Sequence, residues 1–295
     1  MGATPPSRFR GGDDGDARLL PPVAVLFAGD LFSETRKGPT SEHGHNKIWA
    51  CIIVPFMTGV VPYVVRMSDH TYLCPDLRPQ GEFLLGPIGD SDMQNDLNQW
   101  PSEEHFPSWK ETMKLYIATV LDTGKRILSL IALGLDLDAE FFHKIGALDC
   151  PSTFLRLLHY PAEVDESYSG NFGASAHSDY GAITLLVADG TPGLQICREK
   201  DRNPQLWEDV HHIDGALIVN IGDLLERWTN CVFRSTLHRV VAVGKERYSV
   251  AFFLDPNFDT LVECLESCCS EADPPRFPPI RSGEYITGRI NSTYK

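Results

Sequence analysis

Residues 177–186 read His-Ser-Asp-Tyr-Gly-Ala-Ile-Thr-Leu-Leu, a polar triplet followed by the start of an apolar strand. Side chains two residues apart on a strand point to one face, so the imidazole of His177 and the carboxylate of Asp179 are expected to converge. In a chain with ten histidines, His-x-Asp triplets also arise by accident. The stretch therefore predicts a strand with two candidate metal ligands, and further ligands must come from elsewhere.

A second histidine lies in a strand-like run 61 positions further along (238 − 177). His238 stands within Ser-Thr-Leu-His-Arg-Val-Val, whose β-branched residues favour a strand. Two histidines and one carboxylate that leave coordination positions open form the facial triad of non-haem iron(II) oxygenases. His177, Asp179 and His238 are therefore the predicted metal ligands. The alternative is two ordinary histidines beside a surface carboxylate.

Arg247-Tyr248-Ser249 follows nine positions after His238 (247 − 238). The period of a strand places the guanidinium of Arg247 and the hydroxyl of Ser249 on one face. A guanidinium offers a rigid fork suited to a carboxylate, and burying it without an anion is costly. The pair is a candidate anion site, and the alternative is an exposed arginine at a strand edge. Tyr160, which ends another predicted strand, could reach the same interior.

The remaining motif is Asn220-Ile221-Gly222-Asp223, which ends the apolar run Ala216 to Ile221. A Gly-Asp pair at this place is typical of a turn.

Composition limits the class of protein. Lys plus Arg is 26 and Asp plus Glu is 40, a net charge of −14, which argues against a general nucleic-acid or anionic-membrane binder. The eight cysteines are scattered without a Cys-x-x-Cys pair, so they are expected to be reduced in a cytoplasmic setting. Cys264, Cys268 and Cys269 are expected to be ordinary thiols, with a soft-metal site as the alternative.

The beginning of the chain is difficult to assign. Residues 1–22 are rich in Gly, Pro and Asp and are predicted to be a disordered tail without an apolar signal core. Residues 23–100 form an atypical N-terminal region of short apolar runs. The longest, Trp49 to Val65, contains Pro and Gly and falls short of the roughly 20 residues of a membrane helix. It is read as buried or misassigned sequence.

A helical region is predicted for residues 101–150. Ser108 and Glu111 form a Ser-x-x-Glu pattern typical of a capping box, and apolar residues then recur at helical spacing until Gly134. A second short helix is expected from Asp138 to Lys144. The apolar positions of the first helix are Trp109, Met113, Ile117, Val120, Gly124, Ile127 and Ile131.

From Thr153 onward, short apolar runs separated by Gly, Pro, Asn and Asp predict a mainly β fold, a sandwich or jelly roll, preceded by helices. The core is expected over residues 151–260, and residues 261–295 are expected to pack on it. The predicted strands are Thr153–His159, Ala182–Val187, Leu194–Cys197, Ala216–Ile221, Ser235–Val243 and Tyr248–Leu254.

Taken together, the motifs from about Gly81 to Lys295 resemble the 2-oxoglutarate/iron(II) dioxygenase superfamily, in its isopenicillin N synthase-like, plant-type iron/ascorbate branch. The matching segments are Arg-Leu-Leu-His-Tyr-Pro (156–161), residues 177–186, Gly-Leu-Gln-Ile (193–196), Val-Asn-Ile-Gly-Asp (219–223), Ser-Thr-Leu-His-Arg-Val (235–240) and Arg-Tyr-Ser-Val-Ala-Phe-Phe (247–253). Asn98-Gln99-Trp100-Pro101 and Phe277-Pro278-Pro279-Ile280 also fit.

The resemblance implies a double-stranded β-helix, or jelly roll, with N-terminal helices. It implies that His177, Asp179 and His238 bind Fe(II), and that Arg247 and Ser249, helped by Tyr160, bind the distal carboxylate of 2-oxoglutarate. No catalytic side chain is expected beyond the metal centre. The implied reaction oxidises a small-molecule metabolite with dioxygen and releases succinate and CO2, with ascorbate as a reductant.

The sequence departs from the family at its start, since residues 1–80 contain neither Pro-x-Ile-Asp nor Gly-Phe-Phe-x-x-x-Asn-His-Gly. Two alternatives stay open. One is a relative that needs no 2-oxoglutarate, like isopenicillin N synthase or aminocyclopropanecarboxylate oxidase. The other is a catalytically silent β-helix that binds a ligand. The expected partners are a small molecule and dioxygen, with no nucleic acid or membrane, and the expected state is a monomer.

Overall fold

The computed structural model describes residues 98, 100–162 and 172–293, and the backbone of three strands at 26–27, 51–55 and 81–85. The predicted tail 1–22 and most of the atypical region lie outside these residues. The division of the chain at 101–150, 151–260 and 261–295 stays a prediction.

Two β-sheets form the body of the described protein. The larger sheet contains seven strands: β1 (Leu26–Phe27), β2 (Cys51–Pro55), β3 (Gly81–Leu85), β4 (Ser152–Tyr160), β6 (Ile183–Ala188), β9 (Ala216–Ile221) and β11 (Arg247–Asp255). They are arranged in the order β1-β2-β9-β6-β11-β4-β3, and every neighbouring pair is antiparallel.

The smaller sheet contains four strands: β5 (Phe172–His177), β7 (Leu194–Cys197), β8 (Glu208–Asp209) and β10 (Leu237–Val241). Their order is β5-β10-β7-β8. A third, two-stranded sheet pairs β12 (Leu261–Val262) with β13 (Ile280–Arg281).

The two larger sheets face each other across a small apolar interior. Leu186, Ile218 and Ala251 from the larger sheet pack there with residues of the smaller sheet. Alternate residues of the same strands, such as Leu185 and Phe252, face the opposite way and enter the main core. This alternation divides each strand into an outward apolar face and an inward face that lines a jelly roll. The predicted double-stranded β-helix is therefore confirmed.

Helix α1 (Trp109–Gly134) covers the outer face of the larger sheet. The seven apolar positions predicted from its periodicity are all buried, because one stripe of the helix packs on the sheet. Gly124 packs tightly against the sheet, since a Cβ added there would lie 2.7 Å from a Leu254 methyl group. A short helix α2 (Phe141–Lys144) follows, three residues shorter than the predicted Asp138–Lys144.

The predicted capping box at the start of α1 is wrong. Ser108 precedes the helix with φ of 64°, and within the described chain its side chain makes no capping hydrogen bond. An N-cap residue normally has extended backbone. The backbone N–H of Ser108 instead donates to the Glu103 carboxylate at 2.9 Å, so Glu103 takes the place expected for Glu111.

Two helices near the end of the core are absent from the sequence-based prediction. Helix α3 (Asp223–Trp228) begins directly after β9, and helix α4 (Ser282–Thr293) follows β13. Tyr285 and Ile286 of α4 pack against the main core. None of the described helices combines the length and the apolar composition of a membrane span. Of the apolar run Trp49 to Val65, residues 51–55 form β2, beside β9 in the larger sheet.

Six cysteines whose side chains the structure describes are free thiols. Burial, with Cys269 as a further cause, raises the pKa of the Cys264 thiol to about 12, so a thiolate is disfavoured there. Cys264, Cys268 and Cys269 do not belong to any cluster of potential metal ligands in the described part of the chain. The free residues are Cys150, Cys197, Cys231, Cys264, Cys268 and Cys269.

Candidate functional site

His177 and His238 are brought together by strand pairing. They are Cα partners in the antiparallel pair of β5 and β10, and their ring centroids lie 4.3 Å apart with an angle of 53° between the planes. The 61-residue separation (238 − 177) is thus reduced to a single cross-strand contact.

Each of the two imidazoles is oriented by a hydrogen bond to the backbone carbonyl two residues earlier. Nδ1 of His177 lies 2.7 Å from the carbonyl oxygen of Ser175, and Nδ1 of His238 lies 2.8 Å from that of Thr236. Because a carbonyl can only accept, each Nδ1 carries a proton, which leaves Nε2 as the ring nitrogen available to a metal ion. Metal-binding histidines are commonly oriented by such a second hydrogen bond.

Asp179 completes the group. Its Oδ1 lies 3.9 Å from Nε2 of His177 and 3.8 Å from Nε2 of His238, and one potential ligand atom from each residue lies within 4.8 Å of the others. The side chain is buried, and its Oδ2 has no hydrogen-bond partner among the described residues. A buried carboxylate oxygen without a partner is costly, so this position fits a cation.

Asp179 does not lie on a strand, contrary to the strand-period interpretation of His177-Ser178-Asp179. Strand β5 ends at His177, and Asp179 is the second residue of the loop that leads to β6. Its position is set by the start of α3, where the backbone N–H of Asp223 donates to the Asp179 carbonyl at 2.8 Å. The Gly222-Asp223 pair is therefore more than the expected turn.

The loop after Asp179 is tightly packed. A methyl group added at Gly181 would overlap the Asp255 carboxylate, with 1.3 Å between Cβ and Oδ1, and one added at Gly222 would lie 2.2 Å from the Gly181 carbonyl oxygen. Asp255 is fully buried, and its pKa is raised to about 7 mainly by burial and secondly by Asp179. These contacts hold the loop in one position.

The electrostatics around His177 favour neutral imidazole. Partial desolvation by the surrounding protein lowers the pKa of His177, and the neighbouring His238 lowers it further, against the opposing effects of the Ser175 carbonyl and Asp179. A neutral imidazole is the form that binds a metal ion. His177 is also the most exposed of the three candidate ligands, with 43% of its side chain accessible, so within the described residues the site is open to solvent on this side.

Arg247 is buried, not exposed at a strand edge. It lies on β11, 2% exposed, and its Nη1 donates to the Ser249 hydroxyl at 3.3 Å, while its Nε has no partner in the described part of the chain. Tyr160 is its Cα partner on β4, with the guanidinium carbon 5.1 Å from the ring centre. Burial lowers the pKa of Arg247. A buried guanidinium with an unused donor fits an anionic ligand.

The anion candidate and the metal candidate share one interior. Ala251 continues the inward face of β11 from Arg247 and Ser249, and Val240 continues that of β10 from His238; both belong to the apolar cluster between the sheets. Arg156 on β4 is the Cα partner of Ala251 and shares its inward face.

Two further polar side chains on the inner wall were missed by sequence reasoning. Thr184 and Asn220 are Cα partners on β6 and β9, and they are 3% and 2% exposed. Within the described residues, Thr184 Oγ1 and Asn220 Oδ1 have no hydrogen-bond partner. An Asn inside an apolar strand is a usable signal, because buried polar groups are normally hydrogen-bonded. Thr184 carries no such signal.

The donor set fits the cofactors that the resemblance implies. Two neutral imidazoles and a carboxylate are typical ligands of iron(II) in a site with open positions, and the buried guanidinium and hydroxyl fit a carboxylate. Among the described residues, this is the one cluster of three or more potential metal ligands.

Comparisons with known proteins agree with the geometry. Residues 151–256 match the model of the 2OG-Fe(II) oxygenase superfamily. The chain is 43% identical over 211 residues to Kihadalactone A synthase LFS of Citrus sinensis, covering 71% of this chain and 60% of that protein. It is 36% identical over 200 residues to the 2-oxoglutarate-Fe(II) type oxidoreductase hxnY of Emericella nidulans, covering 67% of this chain and 56% of that protein. The chain thus spans less than two thirds of these relatives.

The fold is similar to that of a full-length Neurospora crassa protein solved in complex with alpha-KG and 5-formyluracil. The TM-score is 0.70 at 28% identity, covering 81% of this chain and 83% of that one. A structure of JOX2 in complex with 2OG, Fe and JA has a TM-score of 0.59 at 28% identity, covering 71% and 59% of the two chains. The chain therefore belongs to the 2OG-Fe(II) oxygenase superfamily.

Proposed function

We propose that this protein is an iron(II)- and 2-oxoglutarate-dependent dioxygenase that oxidises a small-molecule metabolite. The observation that carries the proposal is the convergence of two metal-ready Nε2 atoms and the Asp179 carboxylate inside the same barrel as the buried Arg247.

His177, Asp179 and His238 would hold the metal, and Arg247, Ser249 and Tyr160 would hold the distal carboxylate of 2-oxoglutarate. Asp179 Oδ2 and Arg247 Nε, which are unpartnered among the described residues, support this assignment. A guanidinium at 2% exposure binds a carboxylate more strongly than an exposed one, because water does not screen the charges.

When bound, iron(II) and 2-oxoglutarate supply the oxidising chemistry, in which dioxygen converts 2-oxoglutarate to succinate and CO2 and transfers its second oxygen atom to a substrate C–H bond. The residues of this chain bind and orient the reactants. The apolar inner residues Leu186, Ile196 and Val240 exclude water from the reacting groups, which strengthens every polar interaction there. No side chain needs to act as a general acid or base.

The substrate is proposed to be a small metabolite, as in the relatives whose names describe synthases and oxidoreductases. The net charge of −14 supports a protein that binds neither nucleic acid nor anionic membrane. We propose a monomer. We also propose a reducing compartment such as the cytoplasm, which the free cysteines of the described residues support. Ascorbate would serve as a reductant.

The test combines binding and turnover. Protein loaded anaerobically with iron(II) is titrated with 2-oxoglutarate while a visible charge-transfer band is followed, and succinate is then measured after addition of air and a metabolite library. A band that forms in the native protein but not in Asp179→Ala, together with succinate release, is expected. Dioxygen uptake without 2-oxoglutarate would support the 2-oxoglutarate-independent alternative, and ligand binding without any turnover would support the silent β-helix.

A further inference from the structure

The C-terminal helix α4 contacts the loop that carries the metal carboxylate. Tyr180, the residue after Asp179, places its hydroxyl 2.7 Å from the Thr293 hydroxyl. The guanidinium carbon of Arg289 lies 4.6 Å from the centre of the Tyr180 ring. The end of helix α4 thus reaches back to the metal loop across more than 100 positions of sequence.

A second contact runs through Asp223. Its backbone N–H holds the Asp179 carbonyl at 2.8 Å, and its side-chain Oδ2 accepts hydrogen bonds from Arg289 Nη1 and, at 3.1 Å, from the Tyr285 hydroxyl. Arg289 Nη1 also donates to the Tyr285 hydroxyl at 2.9 Å. Asp223 therefore contacts the metal-loop residue Asp179 through its backbone N–H and helix α4 through its side-chain carboxylate.

The ion pair between Asp223 and Arg289 is partly shielded from solvent. The Asp223 side chain is 10% exposed and that of Arg289 is 36% exposed. Charge-assisted hydrogen bonds in such partly buried geometry are about twice as strong as neutral ones. Without Arg289, the Asp223 carboxylate is expected to turn toward solvent, and its backbone is expected to shift with it.

We propose that Arg289 is a positioning residue for the metal carboxylate, and that Tyr285, Arg289 and Thr293 form a C-terminal latch. The latch fixes Asp223, and Asp223 fixes the backbone of Asp179. This inference rests on the proposed metal site. Metal ligands must be held to within about 0.5 Å of productive geometry, so loosening the loop is expected to weaken metal binding even though no latch residue touches the metal.

A purely structural helix contact predicts a different result. Tyr285 and Ile286 already pack α4 against the main core, so a change at Arg289 that acts only on packing would lower thermal stability and leave the affinity of the folded protein for metal unchanged. The two roles are separated by measuring metal affinity well below the melting temperature.

The experiment is an anaerobic titration of the full chain with Co(II), followed by its visible absorption. Arg289→Gln is compared with the wild type, with Arg289→Lys as the conservative variant. Arg281→Gln is the control, because the Arg281 guanidinium donates to the Asp259 carbonyl, outside the latch. We expect Arg289→Gln to raise the Kd for Co(II) about tenfold, as loss of outer-sphere partners commonly does. Arg289→Lys should raise it less, and Arg281→Gln should not change it.

An unchanged Kd in a folded Arg289→Gln protein would overturn the latch. If Arg289→Gln does not fold, Tyr285→Phe removes one of the two donors to Asp223, and a Kd equal to that of the wild type would overturn the proposal equally. Failure of the metal site itself is recognised separately, since Asp179→Ala would then bind Co(II) as well as the wild type does.

Discussion

His177 and His238 are direct cross-strand partners, and both turn their Nε2 atoms toward the same oxygen of Asp179. Each ring is held by a hydrogen bond to the carbonyl two residues earlier on its own chain segment. The site is thus preorganised by backbone groups that cannot change protonation, which reduces the ordering that metal binding must supply.

Loss of a metal ligand is expected to abolish turnover without unfolding the protein. Asp179→Ala should lose most of the bound iron and of the succinate release, because two histidines alone bind iron(II) weakly. The melting temperature of the metal-free protein should hold or rise, since the variant lacks a buried carboxylate whose Oδ2 is unpartnered among the described residues. Metal content, succinate and thermal unfolding are measured beside His143→Ala, an exposed histidine outside the site. Full activity in Asp179→Ala would contradict the assignment.

Arg247→Leu is expected to raise the KM for 2-oxoglutarate steeply. Hydrogen bonds to charged groups contribute about 1.5–3 kcal/mol, so the loss should be roughly tenfold to a hundredfold. Arg247→Lys should recover only part of it, because an ammonium cannot reproduce the planar fork. Arg198→Leu, which removes a half-buried arginine paired with Glu208, is the matched control. An unchanged KM in the Leu variant would mean that the anion is held elsewhere.

A methyl group at Gly222 should disturb the metal loop. Its Cβ would lie 2.2 Å from the Gly181 carbonyl oxygen, and backbone cannot move aside cheaply, so Gly222→Ala should destabilise the fold by at least about 1–3 kcal/mol and weaken Co(II) binding. Gly288→Ala is the control, since no atom of the described chain lies within 4 Å of its added Cβ. That change, within helix α4, should be neutral or stabilise by about 0.5–1 kcal/mol. Equal stabilities of the two variants in chemical denaturation would refute the close packing.

The buried Asp255 predicts a pH-dependent stability. Its pKa is raised from 3.8 to about 7, so the folded metal-free protein binds a proton that the unfolded chain releases, and stability falls as pH rises from about 4 to about 7. Asp255→Asn mimics the protonated carboxyl and does not titrate. The difference in unfolding free energy, variant minus wild type, should therefore grow with pH, by on the order of 4 kcal/mol across the whole window. Chemical denaturation at pH 5 and pH 8 samples about 2.6 kcal/mol of that change, and a constant difference would contradict the raised pKa.

The sequence by itself determined those helices and strands in which apolar residues recur at a regular spacing. Apolar spacing predicts the buried stripe of α1 and the strands β7 (Leu194–Cys197) and β9 (Ala216–Ile221), and all three hold in the structure. Arg247 is recognisable as a candidate because a guanidinium among apolar strand residues is unusual. Such signals are readable because side-chain period and residue chemistry are local properties.

Only the tertiary structure decided which residues distant in the sequence contact each other. Three relationships leave no local trace in the sequence. The strand register makes His177 and His238 partners, and a backbone hydrogen bond from Asp223 fastens the loop of Asp179. Asp223 also contacts Arg289, 66 residues away. Even the cap at Ser108 fails as a prediction, because its backbone takes a left-handed conformation that does not suit a capping hydroxyl. Residue types and spacing specify which chemistry is available, whereas the packing of distant segments determines where those groups meet, because each such contact depends on the whole fold closing around it.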